Sequence, residues 1–108
     1  MEIDYKSKKL ETELTTDKKI IKAYGAQQAR KIRQRIGELA AADNLSEISN
    51  LPPARLHLLI GDRKGLYSVD IVHPYRLLFR AYDLNGVENS EKSQLKKITI
   101  EKVENTHD

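Results

Sequence analysis

The 108-residue chain contains no cysteine. That excludes disulfides, thiolate nucleophiles and cysteine-ligated zinc together, and it suits a reducing compartment. The chain also lacks any apolar run near the roughly 20 residues needed to span a bilayer, and no apolar signal segment follows Met1. The expectation is a soluble, unprocessed cytoplasmic protein with no membrane partner. Histidine is scarce: His57, His73 and His107 stand far apart, without the i, i+4 spacing of a helical metal pair. Neither a metal nor another cofactor is expected. One phenylalanine and five scattered tyrosines argue against a broad base-stacking platform.

Charge is plentiful, at 32% of residues against 39% apolar, enough apolar content for one compact core and one domain over residues 1–108. The net charge of +3 hides a segregation. Residues 18–35 carry Lys18, Lys19, Lys22, Arg30, Lys31, Arg33 and Arg35 with no acid, whereas 36–54 carry Glu38, Asp43 and Glu47 with no base. Such a stretch is either a solvated helix face or a surface for RNA phosphates or an acidic partner.

Hydrophobic periodicity divides the chain into elements. Glu2 to Tyr5 alternates as a short strand; Leu10 and Leu14 mark a brief helix after Ser7; Thr16 or Asp17 can cap a second one holding Ile20, Ile21 and Tyr24. After Gly25, residues 26–42 form the strongest helix, with Ala29, Ile32, Ile36, Leu39 and Ala40 as its stripe and Arg30, Lys31, Arg33 and Arg35 over the remainder. A short helical turn to Leu51 precedes Pro52-Pro53, which end any helix. Four strand signals follow, at 55–60, 66–72, 75–82 and 96–103, with a polar turn at 61–65 and a flexible loop at 83–94. The expected fold is α+β, a twisted antiparallel sheet with the N-terminal strand at one edge and helices packed on one face.

The stretch Arg55-Leu56-His57-Leu58-Leu59-Ile60-Gly61-Asp62-Arg63-Lys64-Gly65 resembles the signature of HigB-type killer proteins, in the RelE/ParE toxin superfamily. Tyr67-Ser68-Val69 and Tyr75-Arg76-Leu77-Leu78-Phe79 are similar to its next two strands, and the opening Glu2 to Glu11 and closing Ile98 to Glu104 resemble a subgroup. The resemblance implies a RelE/ParE-like fold and a type II toxin that cuts messenger RNA in the ribosome without metal. It also implies a HigA-like helix-turn-helix antitoxin as partner, through which alone operator DNA would be met.

Metal-free RNA cleavage sends the 2′-hydroxyl against the adjacent phosphorus, and it needs a proton acceptor, a cation for the phosphorane and a proton donor for the leaving oxygen. Arginine suits the second role by its planar, permanently charged fork, and histidine suits the others. The resemblance assigns Arg76 to the phosphate. It assigns His107 to acid or base work, at the histidine of a terminal Asp-Tyr-His motif that here reads Asn105-Thr106-His107. His57 is a further acid–base candidate, or a structural strand histidine. Arg63 and Lys64 in the turn, and Arg55 and Arg80, are candidate contacts to RNA, as are Asn105 and Thr106. The chain departs from the pattern at Ile60, where lysine is usual, and at Asn105 and Thr106, for aspartate and a stacking tyrosine. These departures favour, as the alternative, a catalytically degenerate or ParE-like member that acts by binding alone. A plain RNA-binding domain ranks third.

Overall fold

A computed structural model describes residues 1–105. The chain opens with β1 (Glu2–Tyr5) and runs through three helices, α1 (Lys8–Thr15), α2 (Asp17–Tyr24) and α3 (Ala26–Ala41). After a 3-10 turn at Leu45–Glu47 come β2 (His57–Leu58), β3 (Tyr67–Asp70), β4 (Tyr75–Tyr82) and β5 (Lys97–Asn105).

Local chemistry sets the helix ends. The Ser7 hydroxyl accepts from the Leu10 amide at 3.1 Å and starts α1. Thr16 is the N-cap residue of α2, although its side chain makes no capping bond. Gly25, at φ +83°, closes α2 through its amide on the Ile21 carbonyl and opens α3 through its own carbonyl on the Ala29 amide. Such a corner suits a residue without Cβ. A hydrogen bond of 2.6 Å from the Tyr24 hydroxyl to Glu13 then ties α2 to α1. Burial first, and that bond second, push the Tyr24 phenol above its ordinary value.

The five strands form one sheet in the order β1-β5-β4-β3-β2. β2 to β5 are antiparallel neighbours, but β1 runs parallel to β5, with Ile3 opposite Ile98 and Tyr5 opposite Ile100. The sheet is therefore mixed, not antiparallel throughout. Parallel pairing demands a long connection, and here three helices and three strands supply it. The α+β class holds.

The helices cover one sheet face. Ala29, Ile32 and Leu39 of α3, Leu14 of α1 and Ile20 of α2 are buried with Val69, Leu77, Phe79, Ile98 and Ile100. Each leucine, isoleucine, valine or phenylalanine among them contributes about 1.5–3 kcal/mol on burial. Tyr67 and Phe79, paired across β3 and β4, stack with centroids 5.8 Å apart.

Several expected boundaries shift. The strand expected at 55–60 contracts to His57–Leu58, because the amides of Arg55 and Leu56 bond to the carbonyls of Leu51 and Ser49 instead of to β3. The strand at 66–72 shortens to Tyr67–Asp70, the last strand extends to Asn105, and the 83–94 loop contains a 3-10 turn at Lys92–Gln94. Of the α3 stripe, Ala40 is exposed; Arg35, assigned to the outer surface, is buried instead. Leu59 is buried, whereas its neighbour Leu58 is 48% exposed.

Candidate active site on the open face of the sheet

Directly opposed residues in an antiparallel pair share a face, so the register defines what lies away from the helices. One row is Asp70–Arg76–Glu104, across β3, β4 and β5; the next is His57–Ser68–Leu78–Lys102, across β2 to β5. A bulge on β5 opposite Leu78/Phe79 leaves Ile100 and Val103 on the helix side and puts Lys102 and Glu104 on this one. Leu78 and Leu59 are buried although they stand apart from the main core cluster, and Ser68 is 1% exposed. The open face is thus partly covered, with an apolar floor among charges.

The charges are tied in pairs. Arg55, at φ +50°, lays its guanidinium on the Asp70 carboxylate, Nε to Oδ2 at 2.7 Å and Nη2 to Oδ1 at 3.2 Å. Arg63, from the 3-10 turn Gly61–Arg63, pairs with Glu104, and Lys102 Nζ approaches the same carboxylate at 3.0 Å. Burial pushes the Glu104 carboxyl up, but Lys102 first and Arg63 second outweigh it and hold it below its ordinary value.

Arg76 is different. Among the described residues its guanidinium makes no hydrogen bond or ion pair, and its Nε is buried without an acceptor; the Ser68 Oγ, on the neighbouring row, is likewise unsatisfied. Buried donors without partners are rare, because each forfeits its hydration. Four cations, Arg55, Arg63, Arg76 and Lys102, face two carboxylates here, so this surface carries an excess of positive charge.

A hollow of about 300 Å³ opens beside Arg76 at the β3–β4 turn, lined also by Arg55, Asp70, His73 and Tyr75. α3 fixes its wall. Gln28 holds Val72 at both backbone groups, accepting from the amide at 2.7 Å and donating to the carbonyl at 3.2 Å; Arg35 Nε donates to the Asp70 carbonyl at 2.7 Å.

The expected site residues therefore divide. Arg55, His57, Arg63 and Arg76 share the open face. Sheet spacing puts the His57 and Arg76 Cβ atoms about 12 Å apart, within joint reach of one phosphate. Arg80 lies further along the same face, beside Glu88 at 3.3 Å and Glu101 at 4.0 Å. Lys64 lines a separate groove with Leu58, Ile60 and Tyr67. Ile60 itself is 86% exposed. Asn105 ends β5 opposite Tyr75; Thr106 and His107 lie outside the described residues.

Asp70, Lys102 and Glu104 were not among the sequence candidates. The uneven spacing of Ile98, Ile100 and Val103 carried the signal, since a break in alternation marks a bulge and re-aims the residues beyond it. The basic segment 18–35 does not form one surface. Lys19 and Lys22 join Lys8 and Lys9 around a hollow between α1 and α2, Arg33 pairs with Asp17, and Arg35 is buried. No group of three or more histidine or acidic side chains suited to a metal occurs among the described residues, and none of their helices is long and apolar enough to cross a membrane. No known family model matches the chain, and no curated protein matches it either.

Proposed function

We propose that this protein is a HigB-like toxin of the RelE/ParE type, a metal-independent endoribonuclease that cuts messenger RNA on the ribosome and so arrests translation. The observation that carries the reading is Arg76: a guanidinium without an acidic partner among the described residues, its Nε buried and unsatisfied, on a face with surplus positive charge. A phosphate meeting the accessible part of this half-buried guanidinium would give it an anionic partner.

In the proposed reaction the 2′-oxygen bonds to phosphorus as the P–O5′ bond breaks, leaving a 2′,3′-cyclic phosphate and a 5′-hydroxyl. Arg76 holds the non-bridging oxygens as charge gathers on them. His57 or His107 takes the 2′ proton or returns one to the 5′-oxygen. Arg55 and Arg63, each held by a carboxylate, meet the flanking backbone. The partners are ribosome-bound message and a HigA-like helix-turn-helix antitoxin, through which alone operator DNA is engaged, and the site of action is the cytoplasm.

The exposed Ile60 and the carboxylates engaging Arg55 and Arg63 favour a second reading, in which a degenerate member binds its antitoxin or another target without cutting. Primer extension on a message translated with purified protein separates the two. Cuts within codons that disappear with Arg76→Ala support the nuclease; an intact message with the wild type, or unchanged cuts with the variant, overturns it.

A further inference from the structure

Resting on the reading of the open face as an RNA site, we infer that the hollow at the β3–β4 turn is a mononucleotide subsite that prefers a base bearing an exocyclic amino group. Its volume, about 300 Å³, suits one nucleotide and is too small for a folded RNA element. Three kinds of group line it, each matched to a part of a nucleotide. Tyr75 is 37% exposed despite its size and offers a ring against which a base can lie; such stacking tolerates any base and gives affinity without choice. Arg76, half-buried and without an acidic partner among the described residues, brings a guanidinium suited to a phosphate oxygen.

Choice comes from Asp70. Its carboxylate can only accept, and Arg55 occupies one lone pair on each oxygen, leaving the others open. A carboxylate accepts from the N4 amino group of cytosine, whereas uracil presents a carbonyl oxygen there and meets repulsion. Cytosine and uracil otherwise share size and shape, so this one group separates them. The wall is held before any ligand arrives, because Arg35 grips the Asp70 carbonyl and Gln28 grips Val72; little ordering cost then falls on binding.

The test is amide chemical-shift titration of the full chain with 3′-CMP, 3′-UMP and inorganic phosphate. The expected result is saturable shifts around Asp70, Tyr75 and Arg76, with CMP about tenfold tighter than UMP or better, the ratio expected of one charge-assisted hydrogen bond. Asp70→Asn should collapse that ratio, Tyr75→Ala should weaken both nucleotides alike, and Arg55→Ala, which leaves the carboxylate in place, should keep the preference. Asp70→Asn leaves the carbonyl that Arg35 holds, and Arg55→Ala guards against a folding artefact. Equal affinities for CMP and UMP, a preference that survives Asp70→Asn, or phosphate alone reproducing the full effect would overturn the subsite. CMP preference in a protein that leaves translated message intact supports the subsite and removes the nuclease reading. Cleavage with no such preference does the reverse.

Discussion

Arg35 of α3 is 2% exposed and donates its Nε to the backbone carbonyl of Asp70 at 2.7 Å, while its Nη1 reaches Glu38 at 3.2 Å. A guanidinium inside the helix–sheet layer thus anchors the end of β3, whose next atoms, the Asp70 carboxylate, face the site on the other side. Structure and site meet in one residue.

Removing Arg35 should cost stability before anything else. Arg35→Ala strands the Asp70 carbonyl and opens a void, and we expect a loss of about 2–3 kcal/mol. Arg35→Met restores volume and introduces no charge to desolvate, so it should lose less. Urea denaturation of the two variants checks the order; a more stable alanine variant would contradict it.

Glu104 gives a pH dependence. Its folded carboxyl binds a proton more weakly than the unfolded chain does, where the ordinary value is 4.5. The unfolded state therefore takes up more protons as the pH falls, so the stabilisation is full above that value and fades on acidification through and below it. Glu104→Gln should be less stable than wild type near pH 7, and the gap should close toward about pH 3. Thermal melts across that range measure it, and a constant gap would show that Lys102 and Arg63 do not hold the proton off.

Gly65 sits at φ +89°, and a Cβ there would meet Arg80 Nη1 at 2.8 Å and Glu88 Oε1 at 3.3 Å. The arginine tip can swing away, but the backbone conformation cannot be relieved. Gly65→Ala should cost about 1–2 kcal/mol, whereas Gly37→Ala, with open space around it and a helical backbone, should gain about 0.5–1 kcal/mol. Paired denaturation curves decide between them; equal effects would refute the distinction.

For the proposed reaction, charge and shape at position 76 can be separated. Losing one preorganised donor to a developing oxyanion costs on the order of 100- to 1000-fold, so Arg76→Ala should fall at least that far. Arg76→Lys keeps the charge without the fork and should recover only part of the rate. Single-turnover cleavage on translating ribosomes gives both numbers, and full activity in the lysine variant would show that only charge matters.

Much of the architecture was legible because it is local. Tyr75 to Tyr82 has turn chemistry at both ends and apolar content within, and β4 has those bounds; Ser7, Gly25 and the α3 stripe placed the helices in the same way. The partner of β1 was not legible, since alternation says that Ile3 and Tyr5 face a core and nothing about which strand lies beside them. Arg35 misled for a related reason: within a run of cations, nothing local distinguishes the one whose hydrogen bond lies across the layer. Of the site, the arginines and His57 could be read from residue type and motif. The carboxylates that steer them could not: Asp70 looked like the polar side of an alternating strand, and Glu104 looked like plain surface until the bulge on β5 set it on the open face beside Arg63.

The seat of β5 between β1 and β4 has a consequence for manufacture. Residues are added in order, so β1 waits without a neighbour, and the Arg76 row without Glu104, until residues 97–105 have been made and can join the sheet. The slot closes through pairings between residues 95 positions apart, such as Ile3 with Ile98, and contacts so distant in sequence form late. On the proposed reading, the cutting surface is therefore among the last parts of the sheet to be completed.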